Sequence, residues 1–234
     1  MDNKEKGYNL RVLFITLCPA RPKSNSFPSV GIAALPRTLA AWRDTAVSVA
    51  ALRPVLGWSS QTHAVANYRQ ENSTQGDRAN VATYIMRWPV LERHDGPQGS
   101  KLWPGAGFAF PFVGRRLVNI LHTQPFDMMI AVDTQFTGYV AYRLREITGV
   151  PYVMVQGTSV ELTPKRQSPT REAILTALAC DAEFVLGPRS NAEAFTLRFP
   201  GSRFRDFDAM DSSGDKFIAL LQEAVRQSRE SFDW

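Results

Sequence analysis

Three short runs in the second half of the chain restrict its fold more than any other feature. "MMIAV" (128–132), "YVMV" (152–155) and "EFVLG" (183–187) are almost wholly apolar, and each ends in polar or Gly/Pro residues. A strand with one face in water alternates apolar and polar residues, whereas a strand buried on both faces does not. The segments between the runs have a helical period. "TGYVAYRLREITG" (137–149) reads as an amphipathic helix stopped by Gly149. "SPTREAILTALACDA" (168–182) reads as another, with Ser168 as its cap and Pro169 in its first turn. Strands that alternate with helices and are buried on both faces require a parallel sheet between two helical layers.

The first half continues the pattern. "LRVLFIT" (10–16) leads through a Pro- and Ser-rich loop to Gly31 and the helical segment "IAALPRTLAAWRD". "AVSVAAL" (46–52) and "VATYIMRWPV" (81–90) read as further strands, while 53–80 is polar and carries no clear assignment. A helix is expected over "VGRRLVNILHTQ" (113–124) and a short one over "PRSNAEAFTLRF" (188–199). The expected fold is α/β: a doubly wound, mostly parallel Rossmann-like sheet with helices on both faces, plus a C-terminal helix packing back through Phe217, Leu220, Leu221 and Val225. The expected division is a domain over 1–205 and an acidic linker with its helix over 206–234. At 234 residues the chain is long enough to bury a substantial core.

Composition narrows the function. Residues 206–234 hold seven acidic residues against three basic ones, a net −4, so with +5 overall the body carries +9. A basic body favours anionic partners. No basic low-complexity arm, zinc-finger spacing or RNP-like pattern is present, so no nucleic-acid partner is expected. No apolar run reaches the roughly 20 residues of a membrane span. The polar start lacks a signal-peptide pattern. The expected location is therefore cytoplasmic, with peripheral contact at the inner membrane face left open. Cys18 and Cys180 lie far apart and read as reduced thiols, and His63, His94 and His122 have no metal-ligand spacing. No metal and no cofactor is expected. No GxSxG elbow and no Gly-rich nucleotide fingerprint is present.

Ligands of doubly wound folds bind beyond the carboxyl ends of the strands. That rule selects the loops after residues 16, 51, 86, 132, 155 and 187. Gly31 allows close backbone approach at a helix start. Asp133 either accepts sugar hydroxyls or caps the next helix. Gln156, Gly157, Thr158 and Ser159 follow "YVMV" directly, and read either as a hydroxyl-binding loop or as a tight strand exit. In "KLWPGAGFAFPFVGRR", Trp103, Phe108, Phe110 and Phe112 lie between Lys101 and Arg115–Arg116. This segment is a candidate membrane or partner contact, or a packed loop whose glycines and prolines argue against a regular helix.

The order of these motifs resembles the N-terminal, acceptor-side domain of GT-B retaining glycosyltransferases, family 4-like. The resemblance rests on Phe126–Asp127, Asp133, Gly138, Gly149–Val150–Pro151, Gln156–Gly157–Thr158–Ser159 and "ACDAEFVLGPRS", with "RVLFIT" and "LPRTLAAW" as the first unit, and it covers about residues 10–195. It implies sugar transfer from a nucleotide sugar to a glycan or lipid-linked acceptor, in polysaccharide or glycolipid synthesis. Two departures stand out. Gln156 takes the place of the family's histidine. The family's second Rossmann domain, with its paired glutamates, has no counterpart in these 234 residues, so a separate donor-domain protein is an expected partner. Two other readings stay open: a non-catalytic binding or scaffold module, and a nucleotide-binding Rossmann enzyme of another class.

Overall fold

A computed structural model of the chain describes residues 10–17, 35–36, 39–40, 45–56, 69–72, 81–90, 106–132, 136–156, 169–207 and 214–232. Among the described residues, eight strands form one sheet: β1 (Leu10–Leu17), β2 (Thr45–Leu56), β3 (Arg69–Asn72), β4 (Ala82–Val90), β5 (Met128–Val132), β6 (Tyr152–Val155), β7 (Val185–Gly187) and β8 (Phe204–Asp206). Their spatial order is β3-β4-β2-β1-β5-β6-β7-β8. Every neighbouring pair is parallel except β3–β4. The order reverses direction between β1 and β5, which is the switch point where such sheets open a crevice. The helices are α1 (Ala106–Thr123), α2 (Phe136–Thr148), α3 (Pro169–Asp181), α4 (Ala192–Arg198) and α5 (Gly214–Phe232).

The doubly wound α/β fold expected from the sequence is the one observed. Its two faces follow from strand periodicity. Leu13, Ile15, Met129, Ala131, Tyr152, Met154 and Val185 point to one side, into a cluster with Val113 and Leu117 of α1, Val140 and Leu144 of α2, Leu178 of α3 and Phe195 of α4. Val12, Phe14, Met128, Ile130, Val153, Val155 and Leu186 point to the other, against Leu35, Leu39 and the apolar stripe of α5. That stripe is Phe217, Ile218, Leu221, Ala224 and Val225, so the C-terminal helix packs back as expected. Phe207 stacks on Phe217 at 4.8 Å, and Arg229 of α5 reaches the Asp127 carboxylate at 3.2 Å. Asp127 also accepts the Arg11 backbone N–H at 2.9 Å, and its burial nevertheless pushes its pKa above the ordinary carboxylate value.

Several boundaries differ from the expectation for local reasons. Helix α1 begins at Ala106, seven residues before the expected start, and runs through Pro111 and Gly114. Pro111 is exposed, where water can serve the carbonyl that loses its helical donor. Gly114 is needed because the Phe110 ring folds over it: a Cβ there would stand 2.7 Å from the ring. The unassigned stretch 53–80 contains β3, and β2 extends to Leu56. The last expected strand is shorter, starting at Val185, and β8 follows it. Gly149 ends α2 as expected, with φ 73°.

The amino edge of the sheet is held by charge. The Glu183 side chain is 3% exposed and meets Arg145 at 3.0 Å and Arg203 at 3.2 Å. Arg145 also donates to the Asp181 carbonyl and lies over the Tyr152 ring. The Tyr152 hydroxyl donates to the Leu178 carbonyl at 2.7 Å, and burial drives its pKa up, so it stays a donor. These contacts fasten α2 and α3 to the strand starts, leaving the carboxyl edge as the side on which chemistry can be arranged.

Candidate functional site

Gln156 stands one residue past the carboxyl end of β6. Its backbone N–H donates to the Leu186 carbonyl at 2.8 Å, which extends the β6–β7 ladder by one step. The alternation that turns Tyr152 and Met154 toward the α1–α4 face turns Gln156 the same way. The residue is 3% exposed. Its Oε1 accepts a hydrogen bond from Asn191 Nδ2 at 3.3 Å. Its Nε2 is buried and has no hydrogen-bond partner among the described residues. A buried amide N–H left unpaired costs about 1–3 kcal/mol.

Gly187 makes room for this amide. A Cβ on Gly187 would lie 2.7 Å from Gln156 Oε1, 3.2 Å from Gln156 Cβ and 3.2 Å from the Phe204 ring. The glycine therefore serves close approach between two strand ends. Asn191 is brought over Gln156 by a tight turn, in which its N–H donates to the Pro188 carbonyl at 2.9 Å. Beyond the end of the neighbouring strand β5, buried Thr137 in the first turn of α2 donates its hydroxyl to the Val132 carbonyl at 2.7 Å, which pins the start of α2 to the end of β5. The Gly187→Ala protein should lose about 1–3 kcal/mol of stability. Its Gln156 amide must also rotate. Urea unfolding measures the first effect, and the side-chain amide resonances of Gln156 report the second; unchanged resonances would show that Gly187 does not set the amide's position.

Of the expected site residues, Gln156 is placed and buried at the carboxyl edge. Gly31, Asp133, Gly157, Thr158 and Ser159 lie outside the described residues. Asn191 and Gly187 were not singled out from sequence, although the loop after 187 was. In the aromatic–basic segment, Lys101 and Trp103 lie outside the described residues, as does the side chain of Phe108. Phe110 is half-buried and packs edge-on against Tyr139 at 6.3 Å, under the Arg143 guanidinium. Phe112 and Arg115 are exposed, and Arg116 is half-buried. Among the described residues, no group of three or more His, Cys, Asp or Glu stands together as a metal site. Among them also, no helix is long and apolar enough to cross a membrane.

No protein-family model and no curated protein matches the chain. Solved structures do. Sucrose-phosphate synthase from Thermosynechococcus elongatus is similar with a TM-score of 0.55 at 12% identity, over 84% of this chain and 47% of that one. The chain thus spans about half the length of that enzyme. A shorter form of the same enzyme is similar with a TM-score of 0.53 at 12% identity, over 93% of this chain and 98% of that one. The shared property is the fold. It is the GT-B-type Rossmann architecture that the order of motifs pointed to.

Proposed function

We propose that this chain is the acceptor-side half of a GT-B-type sugar-transferring protein, in which Gln156 donates a hydrogen bond to a ligand oxygen. The observation that carries the reading is the buried, unpaired Nε2 of Gln156 at the carboxyl edge of the sheet. A hydroxyl or phosphate oxygen seated there would satisfy it. The donor-binding half would come from another chain or another segment of a longer one. The fold similarity to a shorter form of sucrose-phosphate synthase, matched over 98% of its length, supports a half-protein that folds as one unit with its C-terminal helix, as α5 does here.

In this reading the half-site binds and positions. Gln156 fixes a hydroxyl-rich ligand, and Gly31, Asp133, Gly157, Thr158 and Ser159 are proposed as its further contacts, because they belong to the loops that follow strand ends or precede a helix in the sequence. The catalytic gain comes from orienting acceptor against donor and from stabilising an oxocarbenium-like transition state with its nucleotide diphosphate leaving group. No general acid or base is assigned. The finer proposals are a retaining, family 4-like reaction and a glycan or lipid-linked acceptor in polysaccharide or glycolipid synthesis.

Calorimetric titration with a panel of nucleotide sugars and acceptor sugars tests the proposal, using the chain alone and together with donor-half proteins encoded beside it. Binding by the chain alone, or turnover in a combination, is expected. Neither binding nor turnover in any combination would remove the enzyme reading and leave a scaffold module.

A further inference from the structure

Asn191 stands where a helix begins but does not serve that helix in the usual way. An Asn at a helix start ordinarily turns its side-chain oxygen to a free backbone N–H of the first turn. Asn191 opens α4 and makes no such bond. Its side chain crosses instead to the end of β6, 35 positions away in sequence, where Nδ2 donates to Gln156 Oε1 at 3.3 Å. Both partners are held by their backbones. The Gln156 N–H is fixed on the Leu186 carbonyl at 2.8 Å. The Asn191 N–H is fixed on the Pro188 carbonyl at 2.9 Å, which closes the 3-10 turn Arg189–Asn191.

The consequence lies in which end of the Gln156 amide is left over. The two ends of a carboxamide have nearly the same shape and opposite hydrogen-bonding roles, and the terminal torsion of Gln turns between them. Two neighbours choose the orientation. Asn191 offers an N–H to Oε1. Gly187 offers a Cα–H to the same oxygen: the direction that a Cβ would take ends 2.7 Å from it, and a Cα–H is a weak donor that suits an oxygen better than an NH2 group. With Oε1 held by both, Nε2 is the end without a partner among the described residues, on a residue 3% exposed.

We infer that Asn191 is a positioning residue that sets the polarity of this site. It holds Gln156 with the Nε2 hydrogens toward the ligand, so that the site takes an acceptor oxygen, from a phosphate or a sugar. The inference rests on the reading of Gln156 as a ligand contact, and adds the residue that decides what Gln156 can bind. Asn191 acts through Gln156.

Two variants separate this role from plain packing. In Asn191→Asp the carboxylate keeps the shape of the amide but only accepts. It draws Nε2 to itself, turns the Gln156 amide over and leaves Oε1 facing the ligand. In Asn191→Ala the bond is removed but not reversed, so the amide samples both orientations. Position 191 is half-buried, and circular dichroism with melting curves matching the parent will show both variants folded.

The orientation is read in the free protein by nuclear Overhauser contacts between the Gln156 Nε2 hydrogens and the Gly187 Cα hydrogens. They should be weak in the parent, where Oε1 faces Gly187, and strong in Asn191→Asp. Titration with UDP-glucose and with inorganic phosphate reads the consequence. Affinity should fall at least about tenfold in Asn191→Asp. In Asn191→Ala it should fall about twofold, as expected for a half-populated orientation. A packing role predicts the reverse order, since alanine leaves a gap and aspartate does not. Strong contacts in the parent, contacts unchanged in Asn191→Asp, or weaker binding by the alanine variant than by the aspartate one would each overturn the inference. If neither probe binds the parent, the contacts in the free protein still decide the role of Asn191, and only the reading of Gln156 as a ligand contact loses support.

Discussion

Replacing Gln156 with methionine is expected to raise stability while destroying ligand affinity. The two side chains have similar length and volume, so the space beside Gly187 stays filled. The substitution removes a buried Nε2 that has no partner. It also removes the acceptor of Asn191, but Asn191 is only partly buried and water can replace that bond. The net gain should be about 1 kcal/mol, which at this chain length moves Tm up by about 2–4 °C. Affinity for a ligand bound through Nε2 should fall at least about tenfold, because that hydrogen bond is lost. Opposite signs for stability and binding mark a residue kept for function. A drop in Tm for Gln156→Met would mean that the amide is structural.

Glu183→Ala should be the most destabilising single change at the opposite edge. It leaves Arg145, whose side chain is 18% exposed, without its closest carboxylate. Removing one member of a buried ion pair typically costs about 3–5 kcal/mol. The lower end is expected here, since Arg203 is 45% exposed and returns to water, and Arg145 keeps the Asp181 carbonyl. A loss of about 3 kcal/mol corresponds to a Tm drop of about 6–12 °C. The double variant Glu183→Met with Arg145→Met should recover most of it, since an apolar pair of similar volume carries no buried charge. Ligand affinity should be unchanged in the folded fraction, because the cluster sits at the amino edge. A Glu183→Ala protein as stable as the parent would show that the ion cluster holds nothing together.

Both predictions concern residues that the sequence marks unevenly. The central strands were readable because burial on both faces writes itself as continuous apolar runs, as in "MMIAV" and "YVMV". The edge strands were not. β3 is "RQEN" and β8 is "FRD", and neither carries a pattern, since each gains its strand state from hydrogen bonding to one neighbour. The start of α1 was misjudged because Pro111 and Gly114 are poor helix formers taken singly. Tertiary packing reverses that judgement: the Phe110 ring needs the space over Gly114, and neither fact is visible without the other. Gln156 was found through its place after a strand. Its unpaired amide was invisible, because only the structure shows which groups surround it. Gly187 and Asn191 acquire meaning through Gln156, a contact between positions more than 30 residues apart.

The most direct test of the account is the pair of side-chain amide resonances of Gln156, assigned by their loss in Gln156→Met and followed by 1H–15N NMR during titration with nucleotide sugars and acceptor sugars. The account predicts that at least one ligand moves both resonances saturably, and that the same ligand binds the methionine variant at least about tenfold more weakly, as expected for a lost hydrogen bond. Ligand binding that leaves these resonances in place would contradict it, as would equal affinity in the variant.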